Sequence, residues 1–392
     1  MAKFVFINLP FQAHINPTLP VVRELVARGN EVIYYLTEKY RLAIEATGAG
    51  FYGYQSMLEQ PGSDTQQESH PLALPIMTVD ECCFVMPQIL ESVRAEHADC
   101  IVYNPLCLSG RFIAQILSIP AVLSRAFFVS HENNLHSYQF GERDPEVEKR
   151  LQASMKQLCA RYPIEPFNIM SIFFHKEALN IVYIPRSFQP YGESFGKEYL
   201  FVGPSTGLYC ETADFPFSQL SQAPLIYVTS GTIFNHNPRF FETCFAAFAD
   251  QPWQVVMTTG KQAGLLELGP LPKNFLVRSY VPQFEVLQRA ALCIHHGGMV
   301  TIMDCISLGI PMVAIPQAAN QQPNARRVAE TGLGAVLEKE SVTADALREA
   351  AVSVFNDPLI HKNVQRMQEE AKSSGGFKAA ADALQYFVHA SA

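Results

Sequence analysis

The sequence predicts an α/β protein built of two doubly wound, parallel-sheet domains. Three observations carry this. Short apolar runs alternate with stretches of helical period along nearly the whole chain. The rhythm breaks once, at "FVGPSTGLYCETADFPFSQLSQAP" (201–224), and then restarts. Hydrophobic residues make up 48% of the 392, enough for two cores, and at about 150 residues per domain the length gives two to three domains. Strands separated by helices form parallel sheets covered on both faces. Ligands of such sheets lie at the carboxyl ends of the strands, here expected in a cleft between the domains.

In the first half, "KFVFINL" (3–9) reads as a buried strand. The helix after it has Asn16 as cap, Pro17 in the first helical position and Gly29 as stop. Leu19, Val22, Leu25 and Val26 follow at helical spacing. "EVIYYLT" (31–37) is the second strand, followed by a helix to Ala46 and a strand near "GFYGY". Residues 56–78 have no period and carry polar residues and prolines, which reads as a loop over one end of the sheet. A helix (81–96), the strand "CIVYN" (100–104), a helix (107–118) and the strand "PAVLS" (120–124) come next. Residues 131–178 read as a loop plus helices, and "NIVYIP" (180–185) as a strand.

In the second half, "LIYVTS" (225–230), "WQVVMTT" (253–259), "FLVRSY" (275–280), "LCIHH" (292–296), "PMVAIP" (311–316) and "GAVLE" (334–338) read as strands. Helical patterns fall at 238–249, 283–290, 298–308 and 321–331, and again at 343–355, 358–373 and 377–390.

"GAGFYG" (48–53) matches the dinucleotide fingerprint in its letters, but it follows a helix and leads into a strand. The fingerprint must follow a strand and open a helix, so it reads as a helix stop and a nicotinamide enzyme loses its support. Charged residues are 17% of the chain, with 29 Lys and Arg against 37 Asp and Glu, a net charge of −8. With no basic run, a nucleic-acid or anionic-membrane surface is not expected. The start lacks a signal peptide's apolar core, and no stretch of 18 apolar residues occurs. Nine cysteines without CxxC spacing argue against a zinc site or disulfide framework, and read as core thiols in a reducing cytoplasm.

The most informative stretch is "LCIHHGGMVTIMDCISLGIPMVAIPQAANQQPNARRV" (292–328). A strand ends at His295-His296, and Gly297-Gly298 opens a helix. The first turn of a helix offers unpaired N–H groups and the positive end of the dipole, and two glycines let an anion approach the backbone. His296 and the Thr301 hydroxyl add donors, and Asp304 one turn on can accept from sugar hydroxyls. The competing reading is a tight strand-to-helix turn with a buried histidine. His14, in "NLPFQAHINP", reads on its own as a surface or helix-start residue.

Taken together, the chain resembles the UDP-glycosyltransferase superfamily, most of all the bacterial macrolide-type glycosyltransferases. The resemblance rests on "NLPFQAHINPTLPVVRELVARGNEV", "NIVYIPRSFQP", "FVGPS", "YVTSGTIFN", the run from "VPQFEVLQRA" through "NARRV", "ETGLGAVL" and the final helix. It implies the GT-B fold: an acceptor-binding domain over 1–205, a linker at 206–223, a nucleotide-sugar domain over 224–375, and a last helix (376–392) crossing back to the N-terminal domain. By family likeness, the Val281 backbone and Gln283 hold base and ribose, and Asp304 contacts the ribose where the family usually has Glu. His296, Gly297, Gly298 and Thr301 hold the diphosphate, with Gly231 and Thr232 of "TSGT". Asn320 and Gln321 stand at the pair that meets the sugar hydroxyls. Phe11, Phe84, Phe127 and Phe128 are acceptor candidates. No permanent cofactor and no metal are implied, only a UDP- or dTDP-sugar as co-substrate and a hydrophobic small-molecule acceptor.

The resemblance makes His14 the base. A neutral imidazole can take a proton from an acceptor hydroxyl at neutral pH. Two departures stand out. The family leans its base on an Asp, and this chain has Asn104. An amide oxygen can fix the tautomer but lacks charge to stabilise the imidazolium. An acidic acceptor, another acid such as Glu132, or a weak or inactive variant would each account for it. Asn320 replaces an acid at the sugar end, which favours an N-acetylhexosamine or deoxysugar over plain glucose, and Val300 and Ile302 replace small or polar residues by the diphosphate. The leading expectation is inverting O-glycosyl transfer. The alternative is a catalytically weak or silent nucleotide-sugar or natural-product binder. An epimerase of the same architecture would need acids flanking the sugar.

Overall fold

The computed structural model describes residues 1–60, 73–133, 145–209, 214–231, 238–260 and 270–391. The chain divides into two units, Met1–Cys210 together with Gly375–Ala392, and Glu211–Ser374. The first begins with β1 (Lys3–Ile7), α1 (Gln12–Ile15), α2 (Thr18–Ala27), β2 (Glu31–Leu36), α3 (Arg41–Glu45) and β3 (Gly50–Gly53). It continues with α4 (Ala73–Glu96), β4 (Cys100–Tyr103), α5 (Leu108–Leu117), β5 (Ala121–Arg125), α6 (Pro145–Arg161), α7 (Ile169–Phe174), β6 (Leu179–Val182) and β7 (Tyr199–Phe201). Its sheet is parallel, in the order β3-β2-β1-β4-β5-β6-β7. Side chains alternate along a strand, so β1 feeds two cores. Phe4 and Phe6 pack with Leu19, Val22 and Leu25 of α2 on one face. Val5 and Ile7 pack with Ile89 of α4 and Phe112 of α5 on the other.

Two expectations need correction here, and one strand was not expected. Pro17 caps α2 rather than opening it, and Asn16 instead closes α1 with its N–H on Gln12 O. Residues 73–78, expected as loop, belong to the first turns of α4, which continues through Pro87. The proline removes an N–H donor from the helix interior, and at the same turn the Gln88 side chain donates to Phe84 O at 2.9 Å. β7 is a three-residue edge strand inside a stretch with no period of its own. "GAGFYG" does lead into β3, as its position after a helix requires.

The second unit runs β8 (Leu225–Thr229), α8 (Pro238–Phe248), β9 (Gln254–Thr258), β10 (Phe275–Arg278), α9 (Gln283–Leu287), β11 (Ala290–His295), α10 (Met299–Leu308), β12 (Met312–Ala314), α11 (Gln322–Glu330), β13 (Gly334–Val336), α12 (Ala344–Asn356) and α13 (Pro358–Ser373). Its sheet is again parallel, ordered β10-β9-β8-β11-β12-β13. The last helix, α14 (Gly376–Ser391), belongs to the first unit. Ala380, Ala381 and Leu384 enter the core that holds Val22 and Leu25. Among the described residues, no helix is long and apolar enough to cross a membrane.

Chain order reverses between β1 and β4 in one sheet and between β8 and β11 in the other. In open α/β sheets these switch points, at the carboxyl ends, are where ligands bind. The residues just beyond those four strands include Asn8, Asn104, Ser230 and His296.

Candidate active site

In the first unit, β1 ends at Ile7 and the chain turns through "NLPFQ" into α1, which carries His14. Its side chain is 8% exposed. Phe11 and Phe127 flank the imidazole, with ring centroids 5.7 and 4.8 Å away. Asn104 follows β4, whose Tyr103 is in register with Ile7, so the Asn8 and Asn104 amides stand at the ends of adjacent central strands. Burial pushes the His14 pKa down to about 4, while the neighbouring Asn104 side chain works to raise it. The imidazole is therefore neutral at pH 7. Among the described residues its Nδ1 has no partner within hydrogen-bond geometry. Asn104 Oδ1 instead accepts the Leu106 N–H at 2.9 Å, closing the turn between β4 and α5.

The other first-unit expectations separate. Phe128 packs against Phe188 at 5.7 Å, and Phe84 lines the core beneath α4. Glu132 is exposed in the segment that follows. Only Phe11, Phe127 and Asn104 of the expected residues gather round His14.

In the second unit, β8 and β11 run side by side with Thr229 in register with His295. The turn after β11 is built on glycines for two different reasons. Gly297 sits at φ +86°, a left-handed conformation that L side chains rarely adopt. Gly298 has ordinary dihedrals, but a Cβ there would lie 2.5 Å from His296 Nε2, and one on Gly231 would lie 2.5 Å from His296 Cε1. The imidazole of His296 is thus slotted between two bare backbones. Burial holds its pKa down to about 4, against an opposing hydrogen bond to the Thr229 backbone. Three buried polar atoms here lack a partner among the described residues: Ser230 Oγ, His295 Nε2 and His296 Nδ1.

Two expected anion donors are already engaged. The Gly297 N–H donates to His295 Nδ1 at 3.0 Å, and the Gly231 N–H to Thr229 Oγ1 at 3.2 Å. The N–H groups of the first turn of α10 remain as the anion-facing set, as at any helix start. Thr301 is buried in that turn. Thr232 lies outside the described residues.

Asp304 is 0% exposed, and its carboxylate accepts from Gln283 Nε2 at 2.7 Å. Gln283 also receives the Tyr227 hydroxyl at 3.4 Å. Asp304 thus orients Gln283, a link between α10 and α9 that a reading of Asp304 as a ribose contact does not contain. Val281 is buried just before α9. Gln321 turns its Oε1 back onto the N–H groups of Gln317 and Ala318 at 2.8 and 3.2 Å, while Asn320 is exposed. Ile302 is buried in the core and Val300 is half-buried.

Over 391 residues the chain is 34% identical to the NDP-glycosyltransferase YjiC of Bacillus subtilis (strain 168), covering 98% of this chain and 97% of that protein. The chain belongs to that glycosyltransferase family. It is also 32% identical to demethyllactenocin mycarosyltransferase of Streptomyces fradiae, over 98% of this chain and 86% of that one. Residues 243–384 match the family described as erythromycin biosynthesis protein CIII-like, C-terminal domain. Among solved structures, CalG4, the calicheamicin glycosyltransferase, matches with a TM-score of 0.85 and 30% identity, covering 99% of this chain and 98% of that one. The fold is GT-B, with two Rossmann-like parallel-sheet domains, and the protein is a nucleotide-sugar-dependent glycosyltransferase of macrolide type.

For this glycosyltransferase, sequence reasoning missed His295. Its Nδ1 accepts from Gly297, so the proton of its neutral ring sits on Nε2. The only signal was the doubled histidine, which alone does not tell the structural ring from the facing one.

Proposed function

We propose that this glycosyltransferase moves a sugar from a UDP- or dTDP-sugar to a hydroxyl of a hydrophobic small molecule (a polyketide, macrolide or phenol), inverting the anomeric centre with His14 as general base. The observation that carries this reading is His14 itself: a neutral imidazole at the switch point of its sheet, between the rings of Phe11 and Phe127. The acceptor hydroxyl gives its proton to the imidazole, and its oxygen attacks the anomeric carbon from the face opposite the diphosphate. The bond from that carbon to the diphosphate oxygen breaks, and the nucleoside diphosphate leaves with the electron pair. Asn104 stands beside the ring and favours its protonated form, while its Oδ1 closes the turn on the Leu106 N–H rather than holding Nδ1.

In this reading the second unit takes the donor. The diphosphate meets the first turn of α10 with Thr301 and His296, whose positions at a helix start suit an anion. Gly231, Gly298 and Thr232 border it. Val281 and Gln283 meet the nucleoside, Gln283 being set by Asp304, and Asn320 with Gln321 lies toward the sugar. The names of two relatives, a demethyllactenocin mycarosyltransferase and a calicheamicin glycosyltransferase, support a natural-product acceptor.

Asn104 favours a second reading, a weak or silent binder of nucleotide sugars or natural products. The test is a panel: UDP-glucose, UDP-N-acetylglucosamine and dTDP-sugars against phenols and macrolides, read as sugar-sized mass gains. Product from any pairing supports transfer. Donor binding by calorimetry with no product across the panel supports the silent binder.

A further inference from the structure

A four-residue helix cannot sustain itself, and α1 has no side-chain cap at its start. What holds it shows in the partners of its carbonyls. Backbone N–H groups take those of Leu9, Phe11, Gln12 and Asn16. Buried side chains take four more. Tyr54 Oη donates to Asn8 O, and Tyr40 Oη to Pro10 O at 2.9 Å. Asn8 Nδ2 donates to His14 O at 3.4 Å, and Thr18 Oγ1 to Ile15 O at 2.7 Å. Tyr34 Oη joins these last two, 2.8 Å from both Asn8 Nδ2 and Thr18 Oγ1.

The donors in this relay run one way. Asn8 Nδ2–H points to Tyr34, the Tyr34 hydroxyl to Thr18, and the Thr18 hydroxyl to Ile15 O. With the second Asn8 N–H on His14 O, the relay begins and ends on adjacent carbonyls of the turn that carries His14. All three side chains are within 2% of complete burial. Every hydrogen of the relay is placed on an acceptor, and Asn8 Oδ1 is its one oxygen with no partner among the described residues. Hydrogen bonds are stronger away from water, so these hold the turn to one geometry.

We infer that Asn8, Tyr34 and Thr18 are positioning residues for the His14 imidazole, fixing through the backbone a ring whose Nδ1 has no partner among the described residues. The inference rests on the reading of His14 as base. With Nδ1 unpartnered, ring direction is inherited from the main chain and from contact with Phe11 and Phe127. Small displacements of a reacting group cost turnover steeply, about 100-fold for 1 Å.

The test uses Tyr34→Phe and Thr18→Val, which keep shape and remove one hydroxyl each, with Thr18→Ser as the conservative variant and His14→Ala as reference. Rates are taken with the donor–acceptor pair of highest turnover in the panel above, well below each variant's melting temperature. UDP affinity is measured alongside by calorimetry. The expected result is a kcat lowered about 10- to 100-fold in Tyr34→Phe and Thr18→Val, an unchanged Kd for UDP, and recovery in Thr18→Ser. Folded Tyr34→Phe and Thr18→Val proteins within twofold of the wild-type kcat, beside an inactive His14→Ala, would overturn the inference while leaving the base in place. A His14→Ala protein that keeps its turnover overturns the reading beneath it, and the inference with it.

Discussion

At the scale of the residue, the chain's most unusual choice is Asn104. Its Oδ1 closes the turn after β4 by accepting from Leu106, a task a carboxylate would do equally well. What the amide does not supply is charge beside an imidazole whose pKa burial has lowered to about 4. Asn104→Asp should therefore raise the His14 pKa and make it a stronger base. The expected outcome is a higher kcat and an acid limb of kcat/KM that moves from below pH 5 toward the ordinary histidine range of about 6.5. A pH–rate profile of wild type and variant checks this. An unchanged profile would mean the acceptor itself makes charge at position 104 unnecessary. Space works at this scale too, since His296 fits only because Gly231 and Gly298 lack side chains.

At the scale of the element, the sheets and most helices were legible in the sequence because buried parallel strands are apolar runs and their covering helices carry a 3.6 period. The illegible parts have physical reasons. β7 has three residues and pairs on one side only, so it needs no pattern. The start of α4 packs into the core through Val79 and Cys82, while the polar residues and prolines around it hide its period. In the candidate site, His296, Thr301 and the glycines were legible as a motif. The burial of Asp304 onto Gln283, 21 positions away, and the Asn8–Tyr34–Thr18 relay were not, because each joins residues whose nearness exists only in the fold. α14 invites a direct test. Leu384 is completely buried against α2, so Leu384→Ala should cost about 2–5 kcal/mol, measured by urea unfolding. A loss under 1 kcal/mol would show that α14 adds little to that core.

At the scale of the whole molecule, two buried imidazoles, His14 and His295, and the half-buried His296 set the response to acid. Burial lowers His14 and His296 to about 4 and His295 to about 3. The unfolded chain protonates these rings near pH 6.5 and the folded one does not, so their contribution is constant above that pH and shrinks as pH falls from 6.5 toward 4. For His14 alone the full loss is about 3 kcal/mol. Glu81, whose buried carboxyl is raised, works in the opposite direction at the acid end. Urea unfolding at pH 7.5, 6 and 5 should give a stability that begins to fall below 6.5. A stability that is flat to pH 5 would contradict the burial of these rings.

In the proposed mechanism His14 removes the acceptor's proton during sugar transfer. The most direct measurement of this step is kcat for His14→Ala at saturating donor, with UDP affinity measured on the same sample. The expected result is a loss of about 100- to 10,000-fold in kcat with the Kd for UDP unchanged. A variant that turns over within threefold of wild type would contradict it.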